Sequence, residues 1–450
     1  MENVLSANNI PAGAAAEAPS RAATRVRTDY HIWGTYILLV LVAVIELFSA
    51  SIQEVHQGAI FRPLIRHSTF LVGGLACMLL LQHIHYRHIY KCIPLFVAAC
   101  VGLMFLVHTI GTKINGASRA IEISGVMILP ADILKLAVAL GLAWVLTRFR
   151  DAKKNDISTA GFIVAMVLLG ICELLLFEHG LSNTLIVGAI GVSMMIIGGT
   201  SRRKIMIMFA GVALAGTCAI SYKMLSKADD ATKEKLENIA RLNGEDPAAL
   251  DVEGHGRGSV WRDRIASHFR PNKSTEPFSS EHAQEQLSYI AQAHGGLTGV
   301  GVGQSRENAR LPLAYSDYIF AIVVEELGAI VGIGLLIVYL WILGRAAKLT
   351  TRFKQTLPAV LVMGCAFTIV FQALYHMAIV TGVFPVSGQP LPLISRGGVS
   401  VLATSLAFGV MLSCARHAVR NTDTKAEERH EQSLLPQDAL SQNPSMLEKK

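Results

Sequence analysis

One carboxylate stands at the junction between a long polar stretch and an apolar run. Asp317 ends the string that begins at Pro312, and an apolar segment follows it. A carboxylate half in water and half against hydrocarbon suits a general base, because partial desolvation favours its uptake of a proton. Asp is also a favoured helix N-cap. The local pattern leaves both roles open, with Pro312 supporting the turn.

A second group of ionisable residues surrounds the start of another apolar run. Asp132 and Lys135 are three residues apart, so on a helix they share one face and can pair. Pro130 suits the first turn of that helix, and Arg119 lies upstream in a polar string. Charged residues at or inside apolar spans are expensive and are therefore functional candidates. Substrate binding and an internal salt bridge both fit this group.

Two further patterns flank Asp317. The glycine-rich stretch Gly295–Gly303 permits tight turns, and its amides could cradle a phosphate, although such stretches are also common in re-entrant loops. Glu325 and Glu326 lie about two turns into the run that follows Asp317. Adjacent acids on a helix point in different directions, so at least one should face the interior. We expect structural pairing with a cation such as Lys135 or Arg119.

The fourth pattern precedes the last apolar run. The string Gly388-Gln-Pro-Leu-Pro-Leu-Ile-Ser395-Arg396-Gly397-Gly398 contains prolines and glycines that prevent a regular helix. Irregular backbone at membrane depth is tolerated where it is buried in protein or lines a cavity. Arg396 would bring positive charge to that cavity. Ser395, Arg396, Gly397 and Gly398 are therefore candidate substrate-binding residues.

The elements that must position these residues are membrane-spanning helices. Of the 450 residues, 52% are hydrophobic and only 16% are charged, whereas soluble domains are about 25% charged. The apolar residues form runs of about 20, the length that a helix needs to cross a bilayer. The sequence predicts an all-α polytopic membrane protein with about ten spans, near residues 33–52, 67–84, 92–110, 127–147, 158–177, 183–199, 205–224, 317–343, 357–380 and 397–415.

The charge pattern predicts the orientation. The net charge of +7 comes from Lys and Arg clusters in short connections on one side of the alternation, which the positive-inside rule assigns to the cytoplasm. This pattern argues against nucleic acid as a partner. It places both tails, 1–30 and 417–450, in the cytoplasm, and their polar composition predicts disorder. Helices 1–7 (31–224) and helices 8–10 (317–416) then flank one large extracytoplasmic loop, 225–316.

Five strings in this order resemble one family. They are ING-SR ending at Arg119, LPADILK at 129–135, QAHGGLTGVGVG at 292–303, LPLAYSDYIFAIVVEELG at 311–328 and GQPLPLISRGGVS at 388–400. Together they resemble the SEDS family of FtsW, RodA and SpoVE, from about the first span to the last. The family has ten spans and a large loop between the seventh and the eighth. The longer tails and larger loop favour the FtsW branch.

The resemblance implies a peptidoglycan glycosyltransferase that polymerises lipid II during cell division. It implies a bacterial inner-membrane protein at the septum, beside an FtsI-like class B penicillin-binding protein and other divisome membrane proteins. Asp317 matches the family's catalytic aspartate, Lys135 its membrane lysine and Arg119 the arginine of its outer loop. Asp132 joins the substrate-binding set, and site support is assigned to Glu325, Glu326, Pro312 and His376. No cofactor is certain, and a divalent cation, Mg²⁺ or Mn²⁺, could assist.

The sequence also departs from the family pattern. Asp132 replaces the longer acid of its PSE string, Arg396 stands inside its SYGG string, and His376 replaces the Asn of its QxxxN string. The family's QPDLGT segment is also altered, at 178–183. These departures leave Asp317 in place and indicate a divergent lineage. The alternatives are a RodA-type elongation polymerase, a lipid II flippase, which needs a continuous polar path, and a non-catalytic divisome scaffold.

Overall fold

The protein is a bundle of long helices. The computed structural model describes residues 28–55, 61–110, 112–114, 117–123, 126–151, 156–177, 180–211, 283–308, 310–311 and 314–418, with residues 268, 269 and 278. Most of the predicted tails and most of the predicted loop 225–316 lie outside these ranges. Within them, seven helices are long and apolar enough to span a membrane. The prediction of a polytopic helical membrane protein is confirmed.

The helices follow the predicted apolar runs. They are α1 (Tyr30–Val55), α2 (Phe61–His83), α3 (Tyr86–Ile110), α4 (Pro130–Arg148), α5 (Thr159–Phe177), α6 (Leu181–Ile197), α7 (Ala283–Gly295), α8 (Ala314–Asp317), α9 (Ile319–Thr350), α10 (Thr356–Val380) and α11 (Gly398–His417). Residues 202–211 are also helical and begin the predicted seventh span. The rest of that span lies outside the described residues, so the total of ten stays a prediction.

Helices α4, α10 and α11 form the interior of the bundle, whereas α3, α5 and α9 expose much of their apolar surface. Small residues bring the inner helices close together. A Cβ added to Gly364 of α10 would lie 3.3 Å from the carbonyl oxygen of Ala139 in α4. One added to Gly409 of α11 would lie 3.2 Å from Met78 Cα in α2. Lipid gives no hydrophobic drive for helix association, so such close packing supplies the contact energy.

The loop predicted between α3 and α4 contains a small antiparallel sheet. Its strands β1 (Thr112–Ile114), β2 (Ala117–Ile123) and β3 (Val126–Ile128) pair in that order. Ile114 pairs with Ala117, so two residues connect β1 and β2. A second pair, β4 (Arg150–Asp151) and β5 (Asp156–Ile157), connects α4 to α5. The sequence analysis predicted neither sheet, although the fold remains dominated by helices.

Helix α9 is interrupted at Gly328, whose φ of 88° and ψ of 164° are not helical. The glycine-rich segment after α7 packs main chain to main chain against this break. The amide of Val300 donates to the carbonyl oxygen of Glu325 at 2.9 Å. A Cβ added to Gly299 would lie 2.2 Å from the carbonyl oxygen of Glu326. Glycine is therefore required for this close approach.

An ion pair fastens the start of α1 to α9. Arg345 Nη2 donates to Asp29 Oδ2 at 2.7 Å, and its Nε lies 3.1 Å from both carboxylate oxygens. The backbone amides of His31 and Ile32 also donate to Asp29. Burial raises the pKa of Asp29, but these hydrogen bonds and the arginine charge outweigh burial. The pKa of this carboxyl therefore lies below its ordinary value.

Candidate active site

Asp317 is the last residue of the short helix α8 and lies directly before α9. The N-cap residue of α9 is Tyr318, one position beyond Asp317. The alternative that Asp317 caps this helix is therefore wrong. The Asp317 side chain is half-buried, and the Ser316 hydroxyl donates to its Oδ1 at 2.9 Å.

The Asp317 carboxylate lies against the connection between α10 and α11. We call residues 381–397 the α10–α11 loop. A Cβ added to Gly388 of this loop would lie 2.7 Å from Asp317 Oδ2 and 3.5 Å from Oδ1. The bare backbone of a glycine thus lies beside the carboxylate. Leu393, with a φ of 66°, shows how irregular the loop is, as its prolines and glycines predict.

Ser395 ties the α10–α11 loop to the residue before Asp317. Its hydroxyl accepts a hydrogen bond from the Leu391 amide and donates one to the carbonyl oxygen of Ser316, both at 2.7 Å. Ser395 is buried, so these bonds are sheltered from water. The Ser395 hydroxyl therefore links the loop to the segment that carries the carboxylate.

Arg396 brings a positive charge to the same place. Its amide donates to the carbonyl oxygen of Tyr315 at 3.0 Å, and its guanidinium carbon lies 4.6 Å from the centre of the Tyr315 ring. That distance is within the range of a cation–π interaction. Arg396 therefore contacts the short helix α8, which ends at Asp317.

The two glycines after Arg396 allow α11 to begin. Gly397 is the N-cap residue of α11, and Gly398 is its first residue. A Cβ added to Gly398 would lie 2.5 Å from the Phe70 ring of α2. The contacts of Gly398 are therefore with α2, and the substrate-binding role of both glycines stays a prediction.

Lys135 is fully buried, and its ammonium group has three protein acceptors. Its Nζ lies 2.7 Å from Asp132 Oδ1, 3.0 Å from Gln389 Oε1 and 3.2 Å from Gln372 Oε1. An ammonium group has three N–H donors, and all are used. The salt bridge that the spacing allowed is present. A direct contact between Lys135 and a substrate would have to displace one of these acceptors.

Two side chains of α10 hold the same loop. His376 is fully buried, and its Nδ1 lies 2.6 Å from the carbonyl oxygen of Gln389. Gln372, one turn earlier, donates to the carbonyl oxygen of Pro390 at 3.0 Å. The sequence analysis did not single out Gln372 or Gln389. Their amides lie in or beside an apolar span, which is the same signal that singled out the charged residues.

Both acids of α9 are buried and bonded to the segment after α7. Glu325 accepts hydrogen bonds from His294 Nδ1 at 2.8 Å and from the Arg306 amide at 3.0 Å. Glu326 accepts one from the Gly303 amide at 3.1 Å. These contacts support the predicted structural role. The glycine-rich segment uses its amides for protein oxygens, so the structure does not support a phosphate cradle there.

Three predictions need separate mention. The expected pairing of the α9 acids with Lys135 is wrong, because Lys135 pairs with Asp132. The side chain of Arg119 and all of Pro312 lie outside the described part of the chain, although the main chain of Arg119 belongs to β2. Among the described residues, no group of three or more His, Cys, Asp or Glu side chains could hold a metal ion.

Comparison with known proteins gives a consistent assignment. The profile of the FtsW, RodA and SpoVE family, described as cell cycle proteins, matches residues 29–420. A probable peptidoglycan glycosyltransferase FtsW from Geobacter metallireducens is 29% identical over 395 residues, covering 86% of this chain and 94% of the relative. A relative of the same name from Thioalkalivibrio sulfidiphilus is 29% identical over 408 residues, covering 88% and 91%.

Solved structures share the fold. One chain comes from a peptidoglycan synthase complex described as coordinating polymerization and crosslinking; its TM-score is 0.63 at 21% identity, covering 87% of this chain and 98% of that chain. The rod shape determining protein RodA of Thermus thermophilus has a TM-score of 0.57 at 20% identity, covering 88% and 99%. At these identities the likeness concerns the fold alone.

Proposed function

The chain belongs to the FtsW, RodA and SpoVE family, and we propose that it is a peptidoglycan glycosyltransferase that polymerises lipid II into glycan strands. The observation that carries the proposal is the position of Asp317. Its half-buried carboxylate lies beside Gly388, and Arg396 is close by over Tyr315. A base and a cation at one irregular loop are what glycosyl transfer from a diphosphate requires.

The expected reaction inverts the configuration at the anomeric carbon of the donor sugar. Lipid II carries its sugar on an α-linked diphosphate, and the polymer is β-linked, so one in-line displacement suffices. The 4-hydroxyl oxygen of the acceptor forms a bond to the anomeric carbon while the bond from that carbon to the diphosphate oxygen breaks. Asp317 takes the hydroxyl proton as general base. The polyprenyl diphosphate leaves with the electron pair of the broken bond.

Positive charge must stabilise the departing diphosphate. We assign this role to Arg396 and to Arg119 of β2, with Asp132, Ser395, Gly397 and Gly398 shaping the site. We assign Lys135 an indirect role, in which its hydrogen bonds to Gln389 and Gln372 hold the α10–α11 loop in place. A divalent cation bound to the diphosphate would share the charge.

The membrane setting follows from the substrate. Polyprenyl tails need apolar surface, which the exposed faces of α3, α5 and α9 provide. We place the protein in the bacterial inner membrane with Asp317 at the outer surface and both tails in the cytoplasm. We further propose that it serves septal division beside an FtsI-like class B penicillin-binding protein and other divisome membrane proteins.

Asp317→Asn in purified protein tests the assignment. Loss of a general base lowers rates by about 10²–10⁴, so we expect lipid II polymerisation to fall by at least about a hundredfold while thermal unfolding is unchanged. Asp156→Asn is the matched control. Asp156 pairs with Lys204 at 2.8 Å at the β4–β5 hairpin, and this variant should still polymerise. Normal glycan synthesis by Asp317→Asn would refute the proposal.

Two further measurements separate the alternatives. Transport of lipid II across vesicles by a protein that never polymerises it would favour a flippase. Growth of cells that depend on Asp317→Asn would favour a scaffold. A fluorescent fusion located along the side wall instead of the septum would favour the elongation role.

A further inference from the structure

His376 makes its hydrogen bond from inside a membrane-spanning helix. The residue has no exposed surface, and its Nδ1 lies 2.6 Å from the carbonyl oxygen of Gln389. A carbonyl oxygen can only accept, so Nδ1 carries the proton and donates. The imidazole therefore fixes the main chain of Gln389 from the helix that precedes the loop.

Neighbouring contacts make this part of the α10–α11 loop rigid. The side chain of Gln389 accepts from Lys135 at 3.0 Å. The next carbonyl, that of Pro390, accepts from Gln372 at 3.0 Å. Gln372 is four residues before His376, so both project from one face of α10. Buried side chains of two helices, α4 and α10, thus set the path of residues 389–390.

The residue before Gln389 is the one beside the carboxylate. A Cβ on Gly388 would lie only 2.7 Å from Asp317 Oδ2. The carbonyl that His376 holds is bonded to the Gln389 Cα, and a planar peptide group joins that Cα to Gly388. A displacement of this Cα therefore moves Gly388 as well. Misplacement by about 1 Å near reacting atoms can cost about a hundredfold in rate. Loss of the hydrogen bond from His376 could therefore change the spacing between Gly388 and the Asp317 carboxylate by enough to slow the reaction.

We infer that His376 is a positioning residue, which sets the backbone of Gly388 against the Asp317 carboxylate through the carbonyl group of Gln389. The inference rests on the proposed glycosyl transfer. An asparagine at this position could donate the same hydrogen bond, because its amide nitrogen, like the imidazole Nδ1, is attached to Cγ. What the site requires at residue 376 is thus a buried donor, and in this chain an imidazole provides it.

The test compares three variants of the full-length protein in detergent. His376→Leu removes the donor at similar size, whereas His376→Asn restores a donor. Thr368→Val is the control, because its hydroxyl donates within α10, to the carbonyl oxygen of Gly364 at 2.9 Å. We expect the kcat for lipid II polymerisation to fall about a hundredfold in His376→Leu. The KM should change little, and the acid limb of the pH–rate profile should move.

We expect His376→Asn to regain a rate near that of the wild type and its pH profile, and Thr368→Val to keep both. A wild-type rate and profile in His376→Leu would overturn the inference. So would a slow His376→Leu enzyme whose profile is unmoved and whose defect Asn does not rescue. If the Leu variant does not fold, His376→Met takes its place, since Met also lacks a donor and fits irregular space.

The proposed function is judged separately in the same assay. An inactive Asp317→Asn beside a fully active His376→Leu would overturn only the role of His376. An active Asp317→Asn would overturn the proposed function itself.

Discussion

The variant Lys135→Met removes an ammonium group and keeps the aliphatic length. The side chains of Lys135 and Asp132 are 0% and 9% exposed, at an N–O distance of 2.7 Å, so water screens the pair very little. Removing one partner of a buried ion pair costs about 3–5 kcal/mol, because the other charge stays buried without compensation. The acceptors on Gln372 and Gln389 also lose a donor, at about 1 kcal/mol each.

The double variant Asp132→Asn with Lys135→Met separates these contributions. It removes the isolated charge, so most of the 3–5 kcal/mol should return. Gln389 of the α10–α11 loop still lacks the hydrogen bond that Lys135 donates in the wild type. Polymerisation should therefore remain slow although the protein is stable. The measurements are thermal unfolding in one detergent and the initial rate of lipid II polymerisation, made on the same preparations.

Three results would refute this account. Lys135→Met could unfold at the wild-type temperature, which would mean that the ion pair contributes little. The double variant could be no more stable than Lys135→Met, which would mean that the isolated charge is not the cause of the loss. A stable double variant with the wild-type rate would show that Lys135 neither holds the loop nor contacts substrate.

Two other predictions concern Gly388 and the acid stability of the bundle. In Gly388→Ala the methyl group would displace the Asp317 carboxylate, so polymerisation should fall about a hundredfold with little change in unfolding temperature. Gly344→Ala, where an added Cβ meets nothing within 4 Å, should be normal. Because Asp29 has a pKa below its ordinary value, its stabilisation is full above about pH 3.9 and is lost as pH falls through the folded pKa. Thermal unfolding between about pH 5 and 2 should therefore show a steeper loss of stability in the wild type than in Arg345→Met.

Local pattern was sufficient for the helices and for one contact of the site. An apolar run of about 20 residues has one stable form in lipid, so the predicted spans within the described residues overlap helices. The Asp132–Lys135 pair follows from a spacing of three. The bonds from Lys135 to Gln372 and Gln389 span 237 and 254 residues. They depend on how α4 packs against α10, which no local spacing encodes.

The small sheet was missed although the sequence carries a sign of it. Asn115 and Gly116 stand between the β1 and β2 residues in the sequence, and Asn-Gly is the pair most typical of two-residue hairpins. The flanking strands are too short for a clear alternation of polar and apolar residues, so the prediction stopped at a loop.

The interruption of α9 had no comparable sign. The immediate neighbours of Gly328, Leu327 and Ala329, are apolar and belong to one long hydrophobic run, so the sequence predicts one continuous helix. The positive φ of Gly328 is set by the approach of Gly299 from another part of the chain. Helix α9 begins after Tyr318, one residue later than a cap at Asp317 would require, and local pattern does not fix a helix boundary to one residue.

The main-chain junction at the α9 break has a consequence for engineering. The hydrogen bonds of this junction join main-chain amides to main-chain carbonyl oxygens, as from Val300 to Glu325. Substitutions at residues other than the required glycines therefore leave these hydrogen bonds intact. This junction anchors the segment 295–303 to the same helix that begins beside Asp317. A change of the Val300 side chain should therefore leave this attachment, and the start of α9, in place.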